Sequence, residues 1–511
     1  MLSTGFRQTC LFEPVLESSD MNLPVPFRNR MVQHLGTESQ AFFDALALTP
    51  PTSIRIHPGK FDHSLQLHPI LWTRYGYYIK DRPVFTLDPL LHAGCYYVQE
   101  ASSMLLESVM SRLKFTDSKP PVVLDLCAAP GGKSTHLLSL LPRDAVFVSN
   151  EVIRSRVTIL AENLAKWSSE NVIISCSDSA SFGRMSETFD MILVDAPCSG
   201  EGLFRKDPEA ISQWSPEILG LNAQRQRRIL RDVLPSLRTG GYLVYCTCTF
   251  NPAENLDVVN WLVMECGFES IPIHVEQNWG FVQQHAQDCT GLQAYPHKVT
   301  GEGFFISLLQ KTSDFPIDHV SSKPAKSRPR KQRSRGSQER GGLQLNKQEL
   351  DRFCRVSSSD CHQMTESLQV ETAPRSVLTR GHEIFFVNES AADFLLRSQT
   401  ALNVISCGIH LGKLTRQGFV PHHELALSRL LRSGSMPIVE VDQKAALNYL
   451  RREAVEFNSQ EGLSLVTYSG CPLGLVKRMG SRVNNWYPQA WRIRMKLPDA
   501  TAWSILDEVK K

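Results

Sequence analysis

The chain has 511 residues, 42% of them apolar, and a net charge of +3, so it is long enough for two to four domains with buried cores, and its charge alone does not point to nucleic acid. It contains no stretch of about 18 apolar residues and no signal-peptide pattern, which argues against a membrane span or export and for the cytoplasm. Thirteen cysteines, without repeated Cys-x-x-Cys pairs, argue against a disulfide framework and a zinc ribbon, so reduced thiols and no metal are expected.

Residues 1–20 are polar and unpatterned, and a disordered leader is expected there. Apolar positions at helical spacing, Met31, Leu35, Phe42, Phe43, Leu46 and Leu48, predict a helical opening to an N-terminal α/β domain over 21–115. Residues 52–60 alternate polar with apolar and read as a strand whose wet face turns Arg55 and Lys60 to phosphate, or is simply solvated. Tyr75, Tyr77, Tyr78, Tyr96 and Tyr97 follow. Rings beside basic residues can stack on unpaired bases, although core packing suits most of them.

Across 116–312 strand-like runs alternate with helical spacing, which predicts a doubly wound, mostly parallel α/β sheet. The candidate strands are 122–126, 145–149, 172–175, 191–195 and 242–246, with 304–309 as a returning edge strand or, alternatively, a helix. In such sheets ligands lie beyond the carboxyl ends of the strands. Three motifs stand there. Cys127-Ala-Ala-Pro-Gly-Gly-Lys133 follows the first strand: Gly131 and Gly132 let the backbone turn sharply against a ligand, and free N–H groups opening the next helix can bond a carboxylate. The loop matches neither the P-loop nor the dinucleotide pattern. S-adenosylmethionine suits it better, a plain structural turn being the bland alternative. Asp195-Ala-Pro-Cys-Ser-Gly-Glu-Gly202 and Val244-Tyr-Cys-Thr-Cys-Thr-Phe-Asn-Pro252 end later strands and face the same crevice.

These three blocks, in this order, resemble the signature blocks of the NOL/NOP/Sun family of RNA cytosine-5 methyltransferases, and most closely the bacterial RsmF type, which modifies small-subunit ribosomal RNA. The resemblance is strong over about residues 21–312 and weaker over about 401–495. It implies a Rossmann-like class I methyltransferase domain, S-adenosylmethionine as cofactor, RNA or a ribosomal subunit as partner, and a native start at Met21. Cys127, Ala128, Ala129, Pro130, Gly131, Gly132 and Lys133 would hold the cofactor, with Glu151 on its ribose and Asp178 on its adenine amino group. Arg156 would hold Glu151 or the substrate, or merely face solvent. Asp195 would hydrogen-bond the cytosine ring or the cofactor, or cap a helix.

Carbon 5 of cytosine is a poor nucleophile, so its methylation needs a thiolate to attack carbon 6 first. DNA enzymes of this chemistry use the Pro-Cys block, which nominates Cys198, whereas the RNA enzymes that this chain resembles use Thr-Cys-Thr, which nominates Cys248. Cys248 is therefore expected as the nucleophile and Cys198 as an aid to β-elimination, with Cys246 packed in the core. Asn251, Pro252, Glu254 and Asn255 are expected to shape the nucleophile's loop. Arg205 and Lys206 are expected at phosphates flanking the base, with Asp207 and Pro208 opening a helix. Extruding the base costs roughly a few kcal/mol. The rivals are a transfer-RNA substrate, DNA methylation with an idle Thr-Cys-Thr block, and a non-catalytic RNA-binding assembly protein.

Residues 313–345 carry Lys323, Lys326, Arg328, Arg330, Lys331, Arg333, Arg335 and Arg340 among Ser, Pro and Gly, a flexible basic linker that attracts RNA or merely tethers. Residues 346–511 regain apolar patterning, and 408–427 resemble the C-terminal part of the RsmF type. Cations alternate with aromatics over 474–494, which fits an α+β, PUA-like RNA-binding region or a plain Arg/Trp surface cluster.

Overall fold

The computed structural model describes residues 22–115, 118–313, 352–356, 375–431, 434–453, 459–498 and 501–509. The expected leader with Met21, and nearly all of the basic linker, lie outside the described residues.

The N-terminal region forms a four-stranded sheet from β1 (Thr52–Ile56), β2 (His68–Pro69), β3 (Gly76–Ile79) and β4 (Tyr96–Val98), in the order β2-β3-β1-β4. The alternation in β1 does not mark a wet face, because all five of its residues are buried. Arg55 is fully buried: its Nε donates to Gln99 Oε1 at 2.8 Å, its terminal amine donates to Thr135 Oγ1 at 2.6 Å, and its guanidinium sits over the Trp167 ring. Lys60 donates to the carbonyls of Ala93 and Lys166. A buried cation needs such partners more than it needs phosphate, so Arg55 does not turn to phosphate, while half-buried Lys60 spends donors on these carbonyls. Tyr96 is core, and Tyr78 donates to the Thr300 carbonyl.

The opening helices, Val25–Leu35 and Ser39–Ala47, pack elsewhere. Their Phe27, Met31, Phe42 and Leu46 close a cluster with Phe204, Trp214, Phe250 and Tyr295, which belong to the catalytic sheet's loops. This helical hairpin is thus a cover laid beside the Cys198 and Cys248 loops.

Short, apolar and largely buried runs produce the parallel strands β5 (Val122–Asp125), β6 (Val146–Asn150), β7 (Val172–Ser175), β8 (Phe189–Asp195) and β9 (Leu237–Thr247). Four more strands follow: β10 (Phe268–Ile271), β11 (Val282–Ala286), β12 (Cys289–Ala294) and β13 (Phe304–Lys311). The order across the sheet is β11-β12-β13-β9-β8-β5-β6-β7. The expected edge strand is interior. Its residues 304–311 pair antiparallel with β9 on one side and with β12 and β10 on the other, and its side chains are almost all buried.

The C-terminal region is two bodies rather than one. Strands β14 (Phe353–Arg355), β15 (Arg375–Arg380), β16 (Glu383–Asn388), β18 (Ile409–Thr415) and β19 (Gly418–Pro421) make a five-stranded sheet, while β17 (Val404–Cys407) leaves it to pair antiparallel with β7. Phe385, Val387, Ala391 and Phe394 join the catalytic core beside Phe189. The last sheet, β20 (Ile438–Glu440), β21 (Gly462–Tyr468), β22 (Cys471–Met479) and β23 (Arg482–Asn485), packs on the N-terminal domain instead. Asp88 marks that junction, accepting from Tyr96 Oη, Ser504 Oγ and the Ile505 N–H. Tyr487 is core there, whereas Arg492, Arg494 and Lys496 are exposed around buried Ile493.

Candidate active site

The sheet's order reverses between β5 and β8, and at such a switch point the loops diverge and leave a crevice. The glycine loop leaves β5, the Cys198 loop leaves β8 and the Cys248 loop leaves β9, the next strand over. Parallel neighbours end on the same side, so residues far apart in the chain meet. Cys198 Sγ and Cys248 Sγ are 3.2 Å apart. Both are half-buried, whereas Cys246 is fully buried among apolar side chains, as expected of core.

Lys133 Nζ donates to Asp195 Oδ2 at 2.9 Å. Burial opposes the Lys133 charge, yet Asp195 and the nearby Cys246 and Cys248 sulfurs outweigh it and raise its pKa. The pair ties the glycine loop to the end of β8. It also places a cation and a carboxylate next to the sulfurs.

Gly131 adopts φ +112°, and a Cβ there would lie 3.3 Å from Leu160, so only glycine fits without strain. The helix Gly132–Leu140 starts on it. Below the loop, Asp125 is fully buried; Ser134 Oγ donates to its Oδ2 at 2.6 Å, and its Oδ1 has no hydrogen-bond partner among the described residues. Burial pushes this carboxyl up to about 7. Cys127 is raised by burial as well.

Glu151 is buried at the end of β6, where its Oε1 accepts from the Ile153 N–H. Arg156 lies 3.1 Å from its Oε2, outside hydrogen-bond geometry, and donates to the Ala129 carbonyl at 2.6 Å. Arg156 therefore braces Glu151 against the glycine loop, one of the roles the sequence left open. Asp178 is exposed, and its carboxylate caps the helix Ser179–Gly183 through the Ala180 N–H. The unanticipated organiser is Asn150, whose amide bonds Leu126 O, Ser177 O, Ser175 Oγ and Ser177 N, fastening the ends of three strands.

Arg205 is not at a phosphate site. It is nearly buried, with its Nε donating to Glu302 Oε2 at 2.6 Å and its other donors on the Ala45 and Gly301 carbonyls. Lys206 pairs with the same Glu302. Asp207 caps the helix Pro208–Gln213. Two buried carboxylates hold the cysteine loops. Glu201 accepts from Arg30, Trp214 Nε1 and the Phe250 N–H, and Glu254 accepts from both the N–H and the hydroxyl of Ser199. Glu201 was read in the sequence only as part of the Cys198 motif and given no role; its place in that motif, three residues after Cys198, was the signal.

Three family models match the chain: the N-terminal domain of 16S rRNA methyltransferase RsmF over residues 23–101, 16S rRNA methyltransferase RsmB/F over 112–310, and the methyltransferase RsmF PUA domain over 437–493. Ribosomal RNA small subunit methyltransferase F of Serratia proteamaculans is 31% identical over 439 residues, 84% of this chain and 85% of that one. The chain belongs to the RsmF family of RNA methyltransferases. The family member of the same name from Shewanella loihica is 29% identical over 93% of this chain and 95% of its own. The crystal structure of PH0851 aligns over 59% of this chain and 69% of that chain, with 25% identity and a TM-score of 0.51.

In RsmF-family terms the PUA match falls on the last sheet alone. The five-stranded body over 353–431 is matched by none of the three models, although it completes the catalytic sheet's edge.

Proposed function

We propose that the protein methylates carbon 5 of a cytosine in small-subunit ribosomal RNA, with Cys248 as the transient covalent nucleophile and S-adenosylmethionine as methyl donor. One observation carries this reading: two half-buried thiols in contact at the ends of adjacent strands, beside an ion pair and a glycine loop. A single thiolate would suffice to attack a ring; a second sulfur in contact suits an adduct that must also be taken apart.

The residues present fit the cofactor. The loop Cys127–Lys133 approaches without side chains at its tip, the N-terminus of Gly132–Leu140 suits a carboxylate, and buried Glu151 suits ribose hydroxyls. Asp178 would take the adenine amino group only if its cap were shared. When bound, S-adenosylmethionine supplies an electrophilic methyl group. The protein's own groups do the rest. The Cys248 thiolate adds to carbon 6 and sends an electron pair to carbon 5. Asp195 and Lys133 hold the pyrimidine's polar edge. Water takes the carbon 5 proton, the electron pair of that bond restores the carbon 5–carbon 6 double bond and expels Cys248 as thiolate, and Cys198 assists that elimination.

The names of the relatives support ribosomal RNA, and the PUA match supports an RNA-facing C-terminal lobe with exposed Arg492, Arg494 and Lys496. A ribosomal subunit is then the partner and the cytoplasm the place of work. Bisulfite sequencing of total RNA with and without the gene tests the substrate: loss of one 5-methylcytosine from small-subunit RNA is expected, and loss from transfer RNA alone would replace this reading. Cys248→Ala is expected to reduce methylation to background, whereas Cys198→Ala should accumulate an RNA–protein complex that survives denaturing electrophoresis. The opposite pattern would exchange the two roles.

A further inference from the structure

Two thiols 3.2 Å apart cannot both ionise, because like charges at that separation repel strongly. The cysteines are chemically identical, so the surrounding protein must decide which one holds the proton. Lys133 faces Cys248, with Asp195 bonded to it. The Cys198 side carries Glu254.

Glu254 is fully buried. Its Oε1 accepts from the Ser199 N–H at 2.9 Å and from Gln226 Nε2 at 3.4 Å; its Oε2 accepts from Ser199 Oγ at 2.6 Å and from Asn251 Nδ2 at 3.0 Å. Burial and the nearby Glu201 push the Glu254 carboxyl above the usual range, whereas four donors on its two oxygens favour the ionised form, which only accepts. The Ser199 hydroxyl, spent on Glu254, accepts in turn from Thr249 Oγ1 at 2.8 Å. Ser199 adjoins Cys198, while Thr249 and Asn251 follow Cys248. One carboxylate therefore grips both cysteine loops from the Cys198 side.

We propose that Glu254 selects the reactive sulfur: its buried negative charge, fixed beside Cys198 through Ser199, keeps the proton on Cys198 and leaves Cys248 as the thiol that ionises. Glu254 is a positioning residue acting through Cys198, and the proposal rests on the reading of Cys248 as nucleophile. The Cys248 sulfur, burial and the Glu254 charge together hold the Cys198 thiol well above the ordinary range. Glu201 bears on Glu254 with a like charge, while Arg227 and Cys246 act on Tyr245, whose hydroxyl donates to the Glu254 carbonyl and which burial keeps neutral.

Trace labelling of the full-length protein with iodoacetamide, resolved by site in a mass spectrometer across pH 6 to 10, tests the proposal without RNA. Cys248 is expected to label at lower pH than Cys198. Glu254→Gln, which keeps the shape and removes the charge, should move the Cys248-to-Cys198 ratio about tenfold toward Cys198, the equivalent of about one pKa unit; Glu254→Asp should keep the parental order. A folded Glu254→Gln protein with an unchanged ratio overturns the proposal. So does a parent in which Cys198 labels first, a result that stands even if the variant fails to fold. In the parent protein, absent methylation with Cys248 labelling first would count against the proposed function alone, and normal methylation with Cys198 labelling first against the selector alone.

Discussion

Asp125 shows how much a single buried group can be asked to do. It lies under the glycine loop with one oxygen on Ser134 and the other without a partner among the described residues, and burial pushes it to about 7 from about 4 in an unfolded chain. A folded-state pKa raised in this way contributes stability that is complete below about pH 4 and lost as pH rises through about 7. Asp125→Asn cannot ionise, so its melting temperature is expected to gain on the parent between pH 5 and pH 8, by about a few degrees; parallel curves for the two proteins would refute this. The same residue scale explains what the sequence did and did not disclose. The glycine loop, Lys133, Asp195, Cys198 and Cys248 were legible because their chemistry is written in contiguous motifs. Arg55 and Arg205 were misjudged because a cation's partner is chosen by the fold: Gln99 and Thr135 for one, Glu302 for the other. Nothing in a local window distinguishes a buried, satisfied guanidinium from a solvated one.

At the scale of elements, the five central strands were readable because each is short, apolar and followed by a turn or helix signal. Residues 304–309 were read as an edge strand, or alternatively a helix, because they come last in the catalytic stretch, yet their apolar run without alternation was the sign of a strand covered on both faces and flanked on both sides. The true edge beyond β7 is closed by β17, whose contribution no local pattern announces: Cys407 pairs with Ile173, Ser406 with Ile174 and Val404 with Ser175. Ser406→Pro removes a backbone N–H from this closure. Faster amide exchange over Val172–Ser175 is expected, with exchange in β12 unchanged; equal protection in parent and variant would show that β17 adds nothing to the sheet.

The whole molecule is a catalytic sheet gripped from two sides, by the body over 353–431 on its β7 edge and by a clamp of the N-terminal domain and the last sheet. Several histidines are buried neutral along that clamp. His57, His92 and His423 are each pushed down to about 3 by burial. His92 lies 3.4 Å from the Tyr487 hydroxyl, and His423 packs edge-on against Trp491. Groups with depressed basic pKa values bind fewer protons when folded, so their contribution is whole above about pH 6.5 and falls as acid charges the unfolded chain. Limited proteolysis between the last sheet and the rest is expected to quicken from pH 7.5 to pH 5. An unaltered rate would mean that the clamp does not depend on these neutral rings.

The pairing of β17 with β7 also bears on how the protein is born. Until a ribosome has translated beyond Cys407, every catalytic motif already exists, yet the sheet that carries them presents a bare row of amide and carbonyl groups along β7, the kind of margin that recruits stray strands from other polypeptides. A nascent chain halted before that point would hold a complete set of reactive groups on an adhesive scaffold. Shortened versions that stop after the methyltransferase motifs should accordingly be prone to clump.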